Sequence, residues 1–92
     1  MSNKELKEKY DKTFKLIKRI INNWDPIGLL PSAPDDEYEM EIGRIVSLLN
    51  KAESVNVFAA GISSTFNKYF DVNITDEECL PVAQKIWEAV EK

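Results

Sequence analysis

The sequence predicts a compact all-α bundle of four main helices plus a short helical turn, packed around a charge-free third helix. Three observations carry that prediction. Apolar residues recur at spacings of three and four along most of the 92 residues, the interval that lays them on one side of a helix. Capping residues stand immediately before those stretches. No segment alternates apolar and polar residues over a useful length, Val55 to Phe58 and Val72 to Ile74 being too short to compete as strands.

The first helix is expected over residues 3 to 24. Leu6, Tyr10, Phe14, Ile17, Ile20, Ile21 and Trp24 form its apolar stripe, and Ser2 with Glu5 matches a capping box at its start. Its basic residues Lys12, Lys15, Lys18 and Arg19 are read as gathered toward the carboxyl end, where the helix dipole favours them. Asp25-Pro26-Ile27-Gly28 then fits a type I turn, with Asp first, Pro second and Gly fourth. Proline also disfavours helical dihedrals in the residue before it. Pro26, Pro31 and Pro34 stiffen a connector of about ten residues, longer than the usual link between helices.

The second helix is expected to start at the capping residues Asp35 or Asp36 and to run to about Ala52, with Tyr38, Ile42, Ile45, Val46 and Leu49 on one face. Met40, Gly43 and Ser47 line its other side. A mid-helix glycine costs about 1 kcal/mol relative to alanine, so a close neighbour is expected there. The third helix runs from a Ser54 cap to about Phe70, with Val55, Phe58, Ala59, Ile62, Phe66 and Tyr69 on its large-residue face. Its reverse carries Val57, Ala60, Gly61 and Ser64, which predicts neighbours on both sides. Thr75 and Glu78 form a second capping box ahead of the stripe Cys79, Ala83, Ile86, Trp87 and Val90. Pro81 lies too deep for an unbroken helix capped at Thr75, because its ring meets the carbonyl of Glu77. A short turn followed by a main helix from Leu80 is therefore expected.

The chain is read as one domain over residues 1 to 92, without repeats or low-complexity tracts. It contains no histidine and a single cysteine, Cys79. That excludes Ser-His-Asp and Cys-His mechanisms, histidine proton shuttling, zinc sites built on several Cys or His ligands, and an intrachain disulfide. A reducing, cytoplasmic setting is expected. The longest charge-free stretch, Ser54 to Asn67, has 14 residues, against the roughly 20 apolar residues that a bilayer span requires. No signal peptide is expected at a terminus that alternates Lys4, Glu5, Lys7, Glu8 and Lys9.

The net charge of −4 conceals a polarity: residues 1 to 24 carry +4 and the remainder −8. Acidity of this kind disfavours nonspecific nucleic-acid binding, although the basic stripe of the first helix is a possible phosphate-facing footprint. The run Asp35-Asp36-Glu37-Tyr38-Glu39-Met40-Glu41 suggests a metal or acid-base site, yet carboxylates in a first helical turn are also stabilised by the dipole alone. Asp25, as the first residue of its turn, is expected to accept from the backbone amides of Ile27 or Gly28; the other reading turns its carboxylate toward Glu37 and Tyr38. Cys79 is read as a buried structural thiol, and Tyr38, Trp24 and Trp87 as core aromatics, with an interface hot spot as their other reading.

The segments Trp24-Asp25-Pro26-Ile27-Gly28-Leu29, Ala33-Pro34-Asp35-Asp36-Glu37-Tyr38 and Glu41-Ile42, with Tyr69-Phe70 and Glu77-Glu78 further on, resemble the YugE-like family of small proteins from Bacillus and related Gram-positive bacteria. The resemblance implies a compact helical fold in a cytoplasmic bacterial protein and, the family being one of unknown function, no activity and no catalytic residue. Similar Trp-Asp-Pro-Ile-Gly turns followed by an acidic residue and Tyr recur in small bacterial proteins suspected of acting as toxin immunity proteins.

The expectation is therefore a non-enzymatic, acidic interaction protein of immunity or regulatory type, with a basic protein as partner and Asp25, Asp35, Asp36, Glu37, Tyr38 and Glu41 as its candidate patch. No catalytic, cofactor-binding or metal-ligating residue is assigned, and no cofactor is expected. The alternatives are a carboxylate-based small-ligand or metal site at Asp25, Glu37 and Tyr38, and nucleic-acid binding through the first helix.

Overall fold

A computed structural model describes residues 3–28 and 37–90. They form four helices, α1 (Asn3–Trp24), α2 (Glu39–Lys51), α3 (Val55–Phe70) and α4 (Asp76–Ala89), with no strand among the described residues. The all-α bundle is the fold the periodicity predicts. The helices pack in a closed ring: α1 on α2, α2 on α3, α3 on α4 and α4 back on α1. The radius of gyration is 12.9 Å, close to the ~12 Å of a well-packed chain of this length.

Every helix contributes to one core. Ile17 and Ile21 enter it from α1, Ile42, Ile45 and Val46 from α2, Phe58, Ile62 and Phe66 from α3, and Cys79, Ala83 and Ile86 from α4. A fully buried side chain of this size stabilises the fold by about 1.5–3 kcal/mol relative to exposure. At one end the aromatic rings condense. Phe66 meets Trp24 and Tyr38 edge-on at 5.8 and 5.7 Å and stacks on Phe70 at 5.9 Å, arrangements that the ring quadrupole favours.

The carboxyl half of α1 lies in this core, but the amino half does not. Residues 3–12 are all exposed, including Leu6 and Tyr10, which the apolar stripe had placed inward. The dipole reading of the basic residues also fails: the last turn of α1 holds none, and the effect decays within one turn. Lys18 instead donates to Glu39 Oε2 of α2 at 2.6 Å.

α2 begins at Glu39, later than expected. Its N-cap is Tyr38, which makes no side-chain cap bond; Asp35 and Asp36, the expected caps, lie outside the described residues. Tyr38 holds this position because its ring is fully buried against Phe66 and Phe70, so packing overrides capping preference. Gly43 faces the Tyr10 hydroxyl, which lies 3.7 Å from where a Cβ would stand. Gly61 is the closer approach: a Cβ there would meet Leu48 Cδ1 at 3.1 Å, so this glycine sets how near α2 and α3 can come.

α3 follows its expected bounds, but with Lys68 in its last turn it is not the charge-free helix expected, and in the closed ring it has two neighbours like the other helices. Ser54 Oγ accepts from the Val57 amide at 3.2 Å, and Asp71, in the left-handed region at φ 53°, ends the helix. It has α2 on one side and α4 on the other, while its outer edge at Val57, Ser64 and Tyr69 is exposed; Tyr69 is thus outside the large-residue face assigned to it. The Asn67 side chain then pairs with both backbone groups of Ile74, donating to its carbonyl at 2.9 Å and accepting from its amide at 2.7 Å. That clamp directs the chain into Thr75, whose hydroxyl caps α4 by accepting from the Glu78 amide at 3.1 Å.

The short turn expected before Leu80 is the first turn of α4 itself. The helix runs unbroken through Pro81 from Asp76 to Ala89. Cys79 and Val82 are buried on either side of the proline, so packing in the bundle holds the first turn in line with the rest. The bond that Pro81 cannot donate would have gone to the carbonyl of Glu77, an exposed residue.

Candidate functional site

The candidate patch is built where α1 ends and α2 begins. The Asp25 amide donates to the Ile21 carbonyl at 2.8 Å, the last bond of α1, and Asp25 then turns into the left-handed region at φ 47°. Aspartate tolerates that region better than most residues. The expected turn follows, closed by the Gly28 amide on the Asp25 carbonyl at 3.1 Å, with Gly28 at φ 76°.

Between the two expectations for Asp25, the structure takes the long-range one. The Tyr38 hydroxyl donates to Asp25 Oδ1 at 2.6 Å, and the Ile27 amide donates to the same hydroxyl oxygen at 3.3 Å. The amide that was expected to reach the carboxylate is thus satisfied by the phenol. A charge-assisted bond this short is among the stronger hydrogen bonds a protein makes. It joins the two ends of the 25–38 connector, and the Tyr38 ring beneath it is anchored in the aromatic cluster. The pair forms a clasp.

The six candidate residues therefore divide. Asp25 and Tyr38 meet, with Asp25 half-buried and Tyr38 entirely buried, so Tyr38 contributes no surface. Glu37 is exposed. Glu41 is only 5% exposed, and burial, with the Glu37 charge one turn away, pushes its carboxyl above the usual range, against a smaller opposing effect of a bond to its own backbone. Asp35 and Asp36 fall outside the described residues. Of the six, Glu37 is exposed and Asp25 is half-buried with its carboxylate engaged by Tyr38.

Two polar features escaped the sequence reading. Buried Ser63 of α3 is hydrogen-bonded to Asp76 Oδ1 at the head of α4 and to the Ala60 carbonyl. A serine beside a carboxylate resembles a nucleophile and base, but at 3% exposure Ser63 meets no solvent-borne substrate, and the contact ties two helices together. The only signal in the sequence was a serine one turn from Ala59 and Phe66 on a buried face. Thr65, also buried, donates back to the Gly61 carbonyl at 2.8 Å. Cys79 is wholly buried, and burial, reinforced by Asp76 and Glu78, pushes its thiol up to about 12. It is a neutral core group at physiological pH.

Among the described residues no group of three or more Cys, Asp or Glu side chains is arranged to hold a metal ion, and no helix is long and apolar enough to cross a membrane. A concavity begins at Trp24, next to the clasp, and runs away from it. It is an open groove of about 950 Å³ between α1 and α4, whose lining includes Leu16, Ile20, Trp24 and Val82.

A family model described as a domain of unknown function, DUF1871, matches residues 15–91. No curated protein and no solved structure matches the chain.

Proposed function

The chain belongs to the DUF1871 family of unknown function, and from that premise we propose that it is a non-catalytic protein-interaction module of immunity or regulatory type. Its partner is a basic protein that meets the acidic corner at Asp25 and Glu37. The observation that carries this reading is the commitment of the Tyr38 hydroxyl on both sides, to Asp25 at 2.6 Å and to the Ile27 amide at 3.3 Å. A phenol so occupied holds the loop in place, which fixes the half-buried Asp25 and the exposed Glu37 at one corner of the molecule. Negative charge at such a corner speeds encounter with an oppositely charged partner by electrostatic steering. Kinship with the YugE-like proteins, a bacterial origin and a cytoplasmic location belong to the same proposal.

A small-ligand or metal site at Asp25, Glu37 and Tyr38 is the second reading, favoured by the direct contact of Asp25 with Tyr38. It lacks a free donor, since the Tyr38 hydroxyl is engaged. Nucleic-acid binding through α1 has less support, because Lys18, in the middle of the basic stripe, is paired with Glu39.

The test is affinity capture with the tagged full chain in extract of its own cells, at low and at physiological salt. A basic protein should be retained, more strongly at low salt, and Glu37→Lys should release it without altering the helical content. Recovery of no specific partner at either salt, or equal recovery by Glu37→Lys, overturns the proposal.

A further inference from the structure

The groove between α1 and α4 has a chemistry of its own. Its floor is Leu16, Ile20 and Trp24 of α1 with Val82 of α4. The three α1 residues are spaced by four along one edge of the helix and are only half-buried, so apolar surface remains open to solvent there. On the α4 side Pro81 and Ala89 form a low wall without long side chains.

Arg19 and Lys85, one from each helix, also line the groove and are exposed. Neither forms an ion pair among the described residues, whereas Lys18, next to Arg19 in sequence, is neutralised by Glu39. Acidic side chains outnumber basic ones 16 to 12 in this chain, so two cations from different helices left unneutralised along one apolar groove form a local reversal of charge.

The dimensions limit the occupant. The α1 lining runs from Leu16 to Trp24 and the α4 lining from Pro81 to Ala89, in each case a rise of about 12 Å, or just over two helical turns. A volume of about 950 Å³ lies at the upper end for small-molecule pockets, which enclose most of their ligand. This groove is open along its side and would leave much of a small ligand in water. An amphipathic helix, which keeps its other face solvated, suits that shape.

We propose that the α1/α4 groove docks a short acidic amphipathic helix of a partner protein. The apolar stripe of that helix lies on Leu16, Ile20, Trp24 and Val82, with Trp24 as the large aromatic anchor. Its flanking Asp or Glu side chains face Arg19 and Lys85. This surface adjoins the acidic corner at its Trp24 end but is opposite to it in charge, and the inference does not depend on that reading.

The experiment titrates the full chain with a fluorescein-labelled helical peptide of about 14 residues, long enough to form three turns or more, carrying Leu at spacings of three and four and Glu at the flanking positions. A second peptide has Lys in place of every Glu. The Glu peptide should bind about tenfold more tightly than the Lys peptide, weaken as salt rises, and shift the amide resonances of Arg19, Ile20, Trp24 and Lys85. Arg19→Glu with Lys85→Glu, at exposed positions that leave the circular dichroism spectrum unchanged, should weaken it by about tenfold or more. Glu37→Lys should leave it unaltered, which separates this surface from the acidic corner. Equal binding of the two peptides, undiminished binding by the doubly reversed variant, or no binding of the Glu peptide at about 1 mM overturns the proposal. Sodium laurate shifting the same resonances where the Glu peptide does not would overturn it in favour of a small anionic amphiphile.

Discussion

The hydroxyl of Tyr38 gives the clearest case of chemistry-bearing residues used for structure. It bridges a carboxylate and a backbone amide across 13 and 11 residues of chain respectively, and a bond to a charged group contributes about 1.5–3 kcal/mol. Tyr38→Phe keeps the ring in its aromatic contacts and deletes the clasp, so urea unfolding should show a loss of roughly 1–3 kcal/mol. At Asp25 the backbone adds a second requirement. Asparagine tolerates φ 47° and keeps an acceptor, whereas alanine meets neither condition. Asp25→Asn should therefore cost less than Asp25→Ala, and a reversed order would show that the carboxylate is not held as described. The sequence made Asp25 legible as the head of a turn but not as a partner of Tyr38, because turn rules use neighbouring residues and this bond spans 13. Glu41 supplies a pH dependence. Its folded carboxyl is raised by burial, so the native state holds that proton more tightly than the unfolded chain does. The contribution to stability is present below the ordinary carboxylate range and is lost as pH rises through the raised value. Glu41→Gln should accordingly raise the melting temperature at pH 7, with the advantage shrinking on acidification toward pH 4; an advantage that is constant with pH would remove burial of the charge as its cause.

At the scale of single helices, bounds were legible wherever a cap and an apolar stripe agreed. Ser54 and Thr75 both accept the amide three residues on, as their sequence contexts predict. α2 and α4 show where local rules lose to packing. Tyr38 holds an N-cap position without capping because its ring is required by Phe66 and Phe70. Pro81 stays inside a helix because Cys79 and Val82 on either side of it are buried in the bundle. The cost of that proline remains. An interior proline destabilises a helix by about 3 kcal/mol through its lost bond and its clash, partly offset by about 0.4–1 kcal/mol from restricting the unfolded chain. Pro81→Ala should therefore stabilise the protein by roughly 1–3 kcal/mol, read as a higher urea midpoint at unchanged slope. An unchanged midpoint would mean that the turn at Asp76–Leu80 is not continuous with the main helix, as the sequence alone suggested.

The molecule as a whole is unevenly built along α1. From Ile17 onward the helix feeds the core, while residues 3–12 are exposed, with Tyr10 touching the bundle from its rim beside Phe14 and Gly43. The apolar stripe could not reveal this, since Leu6 and Tyr10 continue the spacing of Phe14 and Ile17 and periodicity reports a face without reporting whether anything lies against it. What sustains the overhang is its continuity with the packed half and the spacing of Glu5 before Lys9 and Glu8 before Lys12, a favourable orientation worth about 0.2–0.5 kcal/mol for each pair. An isolated helix of that length is marginal in water, so the overhang should open independently of the bundle. Its amides should exchange with solvent far faster than those of Ile17, Ile20 and Ile21 in hydrogen-exchange measurements, approaching unprotected rates toward Asn3. A chain starting at Lys9, which keeps Tyr10 in place, should melt within about 2 °C of the full chain, because the described residues it lacks are all exposed. A larger fall, or protection of residues 3–9 equal to that of Ile21, would show that the exposed half of α1 is covered in solution by another surface, with Leu6 and Tyr10 as the side chains to examine first.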